Sequence, residues 1–219
     1  ALEETHELVR LGDLADSGAV EVSTGHEVGK LAYGTGSIPF IRTSDIASWQ
    51  IKGDPKHGLS ESLYKSLADV QNVEPRDILM VRDGTYLVGT CAIVTDLDWR
   101  IVYQSHILKF KVIDEDRINP YLLLALFSAP VVKSQIFAKR FTQDIIDTLG
   151  GRWRELVLPV PKDPQRRAEI TESVNQAILL RRQASELSWQ AVQKVAPQST
   201  DGIALLDDEA EYGFGILNQ

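Results

Sequence analysis

Few residues in this chain have the type and spacing to do chemistry. The four histidines, His6, His26, His57 and His106, are scattered and form no HExxH or other ligand spacing. The single cysteine, Cys91, excludes a cysteine-based zinc site and an internal disulfide framework. No metal and no cofactor is expected. Catalysis on adenine would need a cofactor-binding Rossmann-type sheet and an Asn/Asp-Pro-Pro-Tyr-like loop. The nearest match, Asn119-Pro120-Tyr121, lacks the second proline and runs straight into an apolar helix, so it reads as a helix N-cap. A D…ExK nuclease core could start at Asp77 or Asp83, but no Glu-x-Lys follows at a usable distance. Asp83-Gly84-Thr85 reads as a tight turn. Gly34-Thr35-Gly36 lacks the spacing, the Lys-Ser/Thr and the helix of a phosphate loop. No catalytic constellation emerges, and the chain is expected not to be an enzyme.

Polar residues suited to touching a nucleic acid are easier to find. Phosphates call for Lys and Arg on one face, and base edges for polar side chains within reach. The most basic stretch holds Lys133, Lys139, Arg140, Arg152 and Arg154 against Asp144 and Asp147, with Thr142, Gln143 and glycines forming a loop. The plain alternative is a solvated helix face followed by a turn. Arg42, Thr43 and Ser44 follow a buried strand as a loop contact would, although Asp45 and Asp83 are both available to pair with Arg42. Arg82 has the same ambiguity. Gln104 and His106, two apart on a predicted strand, would point together, and Gln can bond adenine bidentately. Trp49, Trp99 and Trp153 read as core or rim packing. The net charge of −8 argues mildly against nucleic acid, but a total says little about one face.

These residues need elements to hold them. With 219 residues and 43% hydrophobic content, the chain has enough material for one large domain with an appendage. The lone cysteine favours a reducing, cytoplasmic setting. No apolar run reaches about 18 residues, and the charged start ALEETHELVR does not look like a signal peptide. A helix is expected over Glu3–Val9, and a strand or turn over Val9–Leu14. Strands are expected around Ser37–Ile46, Ile78–Arg82, Tyr86–Thr95 and, alternating, Ile101–Val112. Helices are expected over Ser60–Ala68, from Pro120 and over Val131–Lys139, with a linker at Arg140–Gly151. Irregular connections favour a mixed α+β fold over βαβ units.

The chain is organised around Gly151–Val195. An apolar run, Leu156–Leu158, and prolines Pro159, Pro161 and Pro164 precede a long helical pattern, with Asp163 as N-cap. Its seam is Ile170, Val174, Ala177, Ile178, Arg181, Ala184, Leu187, Ala191 and Val195. Some thirty residues make a rod of roughly 45–50 Å, longer than a small domain can cover. Ile178, Leu179 and Leu180 are consecutive, so apolar positions fall on more than one side. Arg181 interrupts a strict heptad, which favours an antiparallel or heterologous partner helix over a parallel coiled coil. The reading divides the chain into a globular domain (1–161), a long protruding helix (162–196) and an acidic, Gly-dotted tail (197–219).

The pieces GSIPFIRTSDI, DILMVRDGT, a Gln-Ser-His strand, INPYLLLALFSAP and WRELVLPVPKDPQRR before a long helix come in a telling order. Together, over residues 9–195, they resemble one target recognition domain, with its conserved-region helix, of the DNA specificity subunit of Type I restriction-modification enzymes. Each piece is short; their order and spacing carry the resemblance. It implies a domain that reads part of a bipartite sequence in double-stranded DNA. It also implies a helix that pairs with a second, antiparallel helix, and a methyltransferase subunit as partner. Catalysis would then lie in separate modules. Such subunits usually carry two domains and two helices, whereas this sequence has one of each, pointing to a half-subunit that dimerises or a domain of a longer chain. The competing expectation is an adaptor that binds no DNA and assembles through its long helix, a reading that the acidic Asp207-Asp208-Glu209 favours.

Overall fold

The computed structural model describes residues 2–52, 56–84, 86–143 and 146–195. It begins with α1 (Leu2–Thr5), β1 (His6–Arg10) and α2 (Leu11–Asp16). Residues 6–9, expected to be helical, are strand, and residues 11–14, expected as strand or turn, are helix. Leu11 and Leu14 are buried one helical turn apart, while residues 6–10 pair with residues 157–161, far along the chain, which no local pattern announces. Next come β2 (Val20–Thr24), β3 (Ile38–Ile41), β4 (Ile46–Ala47), β5 (Gln50–Ile51) and β6 (Gly58–Leu59). Helix α3 (Glu61–Gln71) leads to β7 (Ile78–Val81), β8 (Asp83–Gly84), β9 (Cys91–Ile93), β10 (Val102–Tyr103) and β11 (Ile107–Val112). Helices α4 (Pro120–Ser128) and α5 (Pro130–Lys139) precede β12 (Phe141–Gln143), β13 (Ile146–Thr148), β14 (Val157–Pro161) and the long α6 (Pro164–Val195).

The central sheet is antiparallel in the order β2-β11-β7-β9. All four residues of β7 are buried, which explains its unbroken apolar run. On one face, Leu79, Val81 and Ile107 pack with Ile41, Ile46, Val94, Ile101 and Tyr103. Phe110 points to the other face, where it meets Phe127 of α4 at 5.1 Å and the edge of Trp153 at 5.8 Å. A smaller sheet, β10-β3-β6, packs Ile38, Phe40, Leu59 and Val102 against Leu63, Tyr64 and Leu67 of α3. Gly36 and Gly58 allow the loop before β3 to lie on β6: a Cβ on Gly58 would stand 2.0 Å from the Gly36 carbonyl.

Helix starts follow the sequence closely. Ser60 Oγ accepts the Leu63 N–H, Asn119 Oδ1 accepts the Tyr121 N–H ahead of Pro120, and Asp163 Oδ1 accepts the Gln165 N–H. Among the described residues no single helix is long and apolar enough to cross a membrane. The apolar α4 is bent 68° from α5 and buries Leu122, Leu123, Leu124 and Phe127 in the core.

Strand extents differ more. The stretch expected to be one strand, Ile101–Val112, is cut by a turn at Gln104–His106, closed by the Ile107 N–H on the Gln104 carbonyl at 3.0 Å. The chain there leaves the smaller sheet for the central one. Asp83-Gly84 is not a turn but a strand paired with β13, and the expected linker Arg140–Gly151 contains β12 and β13. Of Tyr86–Thr95 only Cys91–Ile93 is strand.

β14 pairs with β1 from His6↔Pro161 to Arg10↔Val157. Its prolines fit an edge position, where a missing N–H is tolerated. On its other side, the Gln135 amide takes the place of a strand, donating to the Val157 carbonyl and accepting the Val157 N–H, both at 2.8 Å.

The chain divides into two units, Ala1–Asn175 and Gln176–Gln219, so the division falls within α6. Along the α6 seam, Val174 and Ile178 are buried and Ile170 and Ala177 half-buried, whereas Ala184, Leu187 and Ala191 are exposed. Leu180, Trp189, Val192 and Val195 are exposed as well. The acidic tail lies outside the described residues.

Candidate nucleic-acid interface

The turn between β10 and β11 gathers polar groups around Glu27. Ser105 Oγ donates to Glu27 Oε1, Gln104 Nε2 lies 3.5 Å from Oε2, and His106 Nε2 lies 3.9 Å from Oε1. Gln104 and His106 therefore meet through a shared carboxylate rather than on one strand face. The Gln104 side chain is buried, and its backbone N–H bonds the Ile41 carbonyl at 2.9 Å, which places Arg42 beside this turn.

His106 connects the turn to a second carboxylate. Its Nδ1 donates to Asp83 Oδ2 at 2.8 Å, while Arg82 donates through Nε at 3.0 Å and Nη2 at 2.7 Å, and Thr148 Oγ1 donates to Oδ1. Burial alone would push the Asp83 carboxyl up. The hydrogen bonds from Arg82, Thr148 and His106, with the guanidinium charge, outweigh burial and hold it below its ordinary value. The backbone follows the same path, with the N–H groups of Arg82 and Asp83 both on the His106 carbonyl.

Beyond Thr148, Asp147 accepts from Thr142 Oγ1 at 3.1 Å and lies 3.4 Å from Arg140. The Arg140 guanidinium also covers the Phe137 ring, at 4.3 Å. Lys139 pairs with Glu155 at 2.8 Å, and Arg152 donates to the Lys139 carbonyl while lying over Phe141. At the opposite end, Thr43 and Ser44 form a 3-10 turn with Asp45, whose carboxylate accepts the Arg42 N–H at 2.8 Å. Of the two acids available to Arg42, the backbone uses Asp45 and the side chain neither.

The fold thus strings most of the residues singled out from the sequence along one continuous line of contacts. It runs from Arg42 through Gln104, His106 and Arg82 to Thr142, Arg140, Lys139 and Arg152. The Gln143 side chain lies outside the described residues; its backbone pairs with Ile146. Glu27, which joins the line, carried no signal in the sequence, and Asp147 stood out only as an acid beside the basic stretch, because each acts across more than one element. Among the described residues no three of His, Cys, Asp and Glu come together as a metal site. Trp153 is buried, Trp49 donates to Ser128 Oγ at 2.7 Å, and Trp99 is exposed.

A small antiparallel sheet whose strands β7 and β9 are buried on both faces, satellite strands carrying a polar rim and a long helix together define an α+β architecture. That architecture is found in specificity subunits of Type I restriction-modification systems. The S subunit from M. genitalium superposes with a TM-score of 0.54 at 9% identity, covering 86% of this chain and 42% of that one. A structure described as the basis of complex assembly and conformational transition of the type I R-M system gives 0.50 at 13% identity, covering 86% and 41%. The likeness at these identities is one of fold, and the chain spans about two fifths of those relatives. No protein-family model and no curated protein matches the sequence.

Proposed function

We propose that this chain is a sequence-specific DNA-binding specificity module that directs an adenine methyltransferase, and the restriction complex built on it, to its target. Support comes chiefly from the shared fold with a Type I S subunit over 86% of the chain. The contiguous rim adds to it, because it offers guanidinium, hydroxyl and amide groups of the kinds that contact phosphates and bases. In this reading Arg42, Thr43, Ser44, Arg82, Gln104, His106, Lys139, Arg140, Thr142, Gln143 and Arg152 form the DNA-facing set. Helix α6 pairs with a second helix through Ile170, Val174, Ala177, Ile178, Ala184, Leu187 and Ala191, and the methyltransferase subunit covers its remaining apolar side. The second helix comes from another copy or from another recognition half. Catalysis belongs to the partners.

A second reading, an assembly adaptor without DNA contact, is favoured by the exposed apolar side chains of α6 between Leu180 and Val195. Sequencing methylated adenines in cells that carry this gene and its methyltransferase separates the two, with residues 1–161 kept or exchanged for another recognition domain. The specificity reading expects the methylated motif to change with the exchange. An unchanged motif leaves the adaptor.

A further inference from the structure

About half of the guanidinium and ammonium groups of the first unit, and most of its arginines, are matched to a carboxylate. Arg76 pairs with Glu115, Arg82 with Asp83, Arg100 with Glu61, Arg117 with Glu7, Lys139 with Glu155 and Arg140 with Asp147. A cation compensated in this way attracts an outside anion less, because the field of the pair falls off faster than that of a single charge.

Arg42 is built differently. Its Nη1 donates to His57 Nε2 at 3.3 Å, and no carboxylate pairs with its guanidinium among the described residues; its Nε is buried without a hydrogen-bond partner, as is that of Arg76. His57 is stacked on Tyr33, with ring centroids 4.3 Å apart and planes 15° from parallel. Tyr33 in turn sits on the loop that Gly36 and Gly58 bring against β6, where the Gly34 N–H bonds the Gly58 carbonyl at 2.8 Å. Desolvation, then the charges of Arg42 and Lys56, lower the His57 pKa from its ordinary value, against an opposing effect of Asp45. The imidazole is therefore neutral near pH 7 and free to accept. A neutral acceptor orients the guanidinium without itself compensating the charge. Three exposed lysines lie close by in the chain's path. Lys56 precedes His57, the Lys52 N–H bonds the Asp45 carbonyl, and the Lys30 carbonyl takes the Tyr33 N–H. None of the three has a carboxylate partner among the described residues. Among the described residues Asp45 is the acid in this group, and its carboxylate takes the Arg42 backbone N–H and not the guanidinium.

We propose that Arg42, held by His57 on the Tyr33 ring and flanked by Lys30, Lys52 and Lys56, binds a backbone phosphate of duplex DNA. This rests on the DNA-binding reading and names the place where the duplex is held rather than read. A phosphate contact here contributes equally to every sequence.

The test is fluorescence anisotropy of labelled duplexes with the full chain over a range of salt. One lost phosphate contact should flatten the slope of log affinity against log salt by about one and cost about fivefold near 0.15 M salt. That result is expected for Arg42→Ala on all duplexes alike. His57→Glu should match it although Arg42 is kept, because the new carboxylate compensates the guanidinium, and its melting temperature should not fall. His57→Gln keeps an uncharged acceptor and should stay within about twofold of the wild type. Unchanged salt slopes for Arg42→Ala and His57→Glu, with the wild type still binding duplex, overturn this site alone. Losses confined to one duplex sequence also overturn it, as they indicate a base contact. If the wild type shows no salt-dependent binding to any duplex, the DNA-binding reading itself fails, and this site with it.

Discussion

Gln71 meets Tyr103 as one strand meets another. Its Nε2 donates to the Tyr103 carbonyl and its Oε1 accepts the Tyr103 N–H, both at 3.0 Å, with both residues buried. The Gln71 carbonyl in turn accepts from Lys109 Nζ at 2.6 Å. The end of α3 is thereby fastened to the strand that feeds the Gln104–His106 turn. Substituting Gln71→Leu strands the buried Tyr103 N–H, while the Tyr103 carbonyl keeps the His26 N–H at 3.0 Å, and the expected loss is roughly 1–3 kcal/mol. Urea unfolding measures it directly; a loss below about 0.5 kcal/mol would mean that solvent replaces the amide.

Asp83 predicts a pH dependence. Its folded pKa is held below the ordinary 3.8. The ionised form is therefore favoured by folding, and the unfolded chain binds more protons in that range. Its contribution is fully present above the unfolded value and disappears as pH falls through the folded one. Asp83→Asn should cost about 1–3 kcal/mol at pH 7, because Arg82, His106 and Thr148 lose their common acceptor. The gap between wild type and variant should narrow below about pH 4. Parallel stability curves down to pH 2 would show that the carboxylate titrates alike in both states.

Gln135 offers a local test of the β14 edge. Gln135→Ala removes both partners of the Val157 backbone, and a loss of about 1–3 kcal/mol is expected. Amide exchange should report it first at Val157, whose N–H is left to solvent.

The α6 proposal concerns assembly. Leu187→Glu places a charge in the C-terminal half of the proposed helix–helix seam, where burial without a partner is costly. The sedimentation mass of the chain, alone or with its methyltransferase, should fall by the pairing copy or half. An unchanged mass would put the partner on another face.

How much of this was visible in the sequence depends on the range of the interaction. Helix starts at Ser60, Asn119 and Asp163 were legible because an N-cap acts over two or three residues. The fully buried β7 was legible from its apolar run. The break at Gln104–His106 was not, because alternation continues through it while the chain changes sheets. The turn signal of Asp83-Gly84 was misleading for a similar reason: its pairing partner, β13, lies more than sixty residues downstream. In the rim, the residue types were legible, but the pairings through which carboxylates join them were not. The distinction between Arg42 and the compensated arginines appears only once His57 and Tyr33 are brought to its side.

The β1–β14 ladder has a mechanical consequence. His6 faces Pro161, and the Lys162 N–H bonds the Thr5 carbonyl at 2.9 Å, so the chain enters and leaves this ladder at the same end. Tension between the segment before His6 and the first turn of α6 would load these hydrogen bonds one pair at a time instead of shearing them together. The ladder would peel from Pro161 toward Val157 while the central sheet stays outside the load path. A pull along the chain is thus met first by its weakest geometry, and the rim keeps its shape while that seam opens.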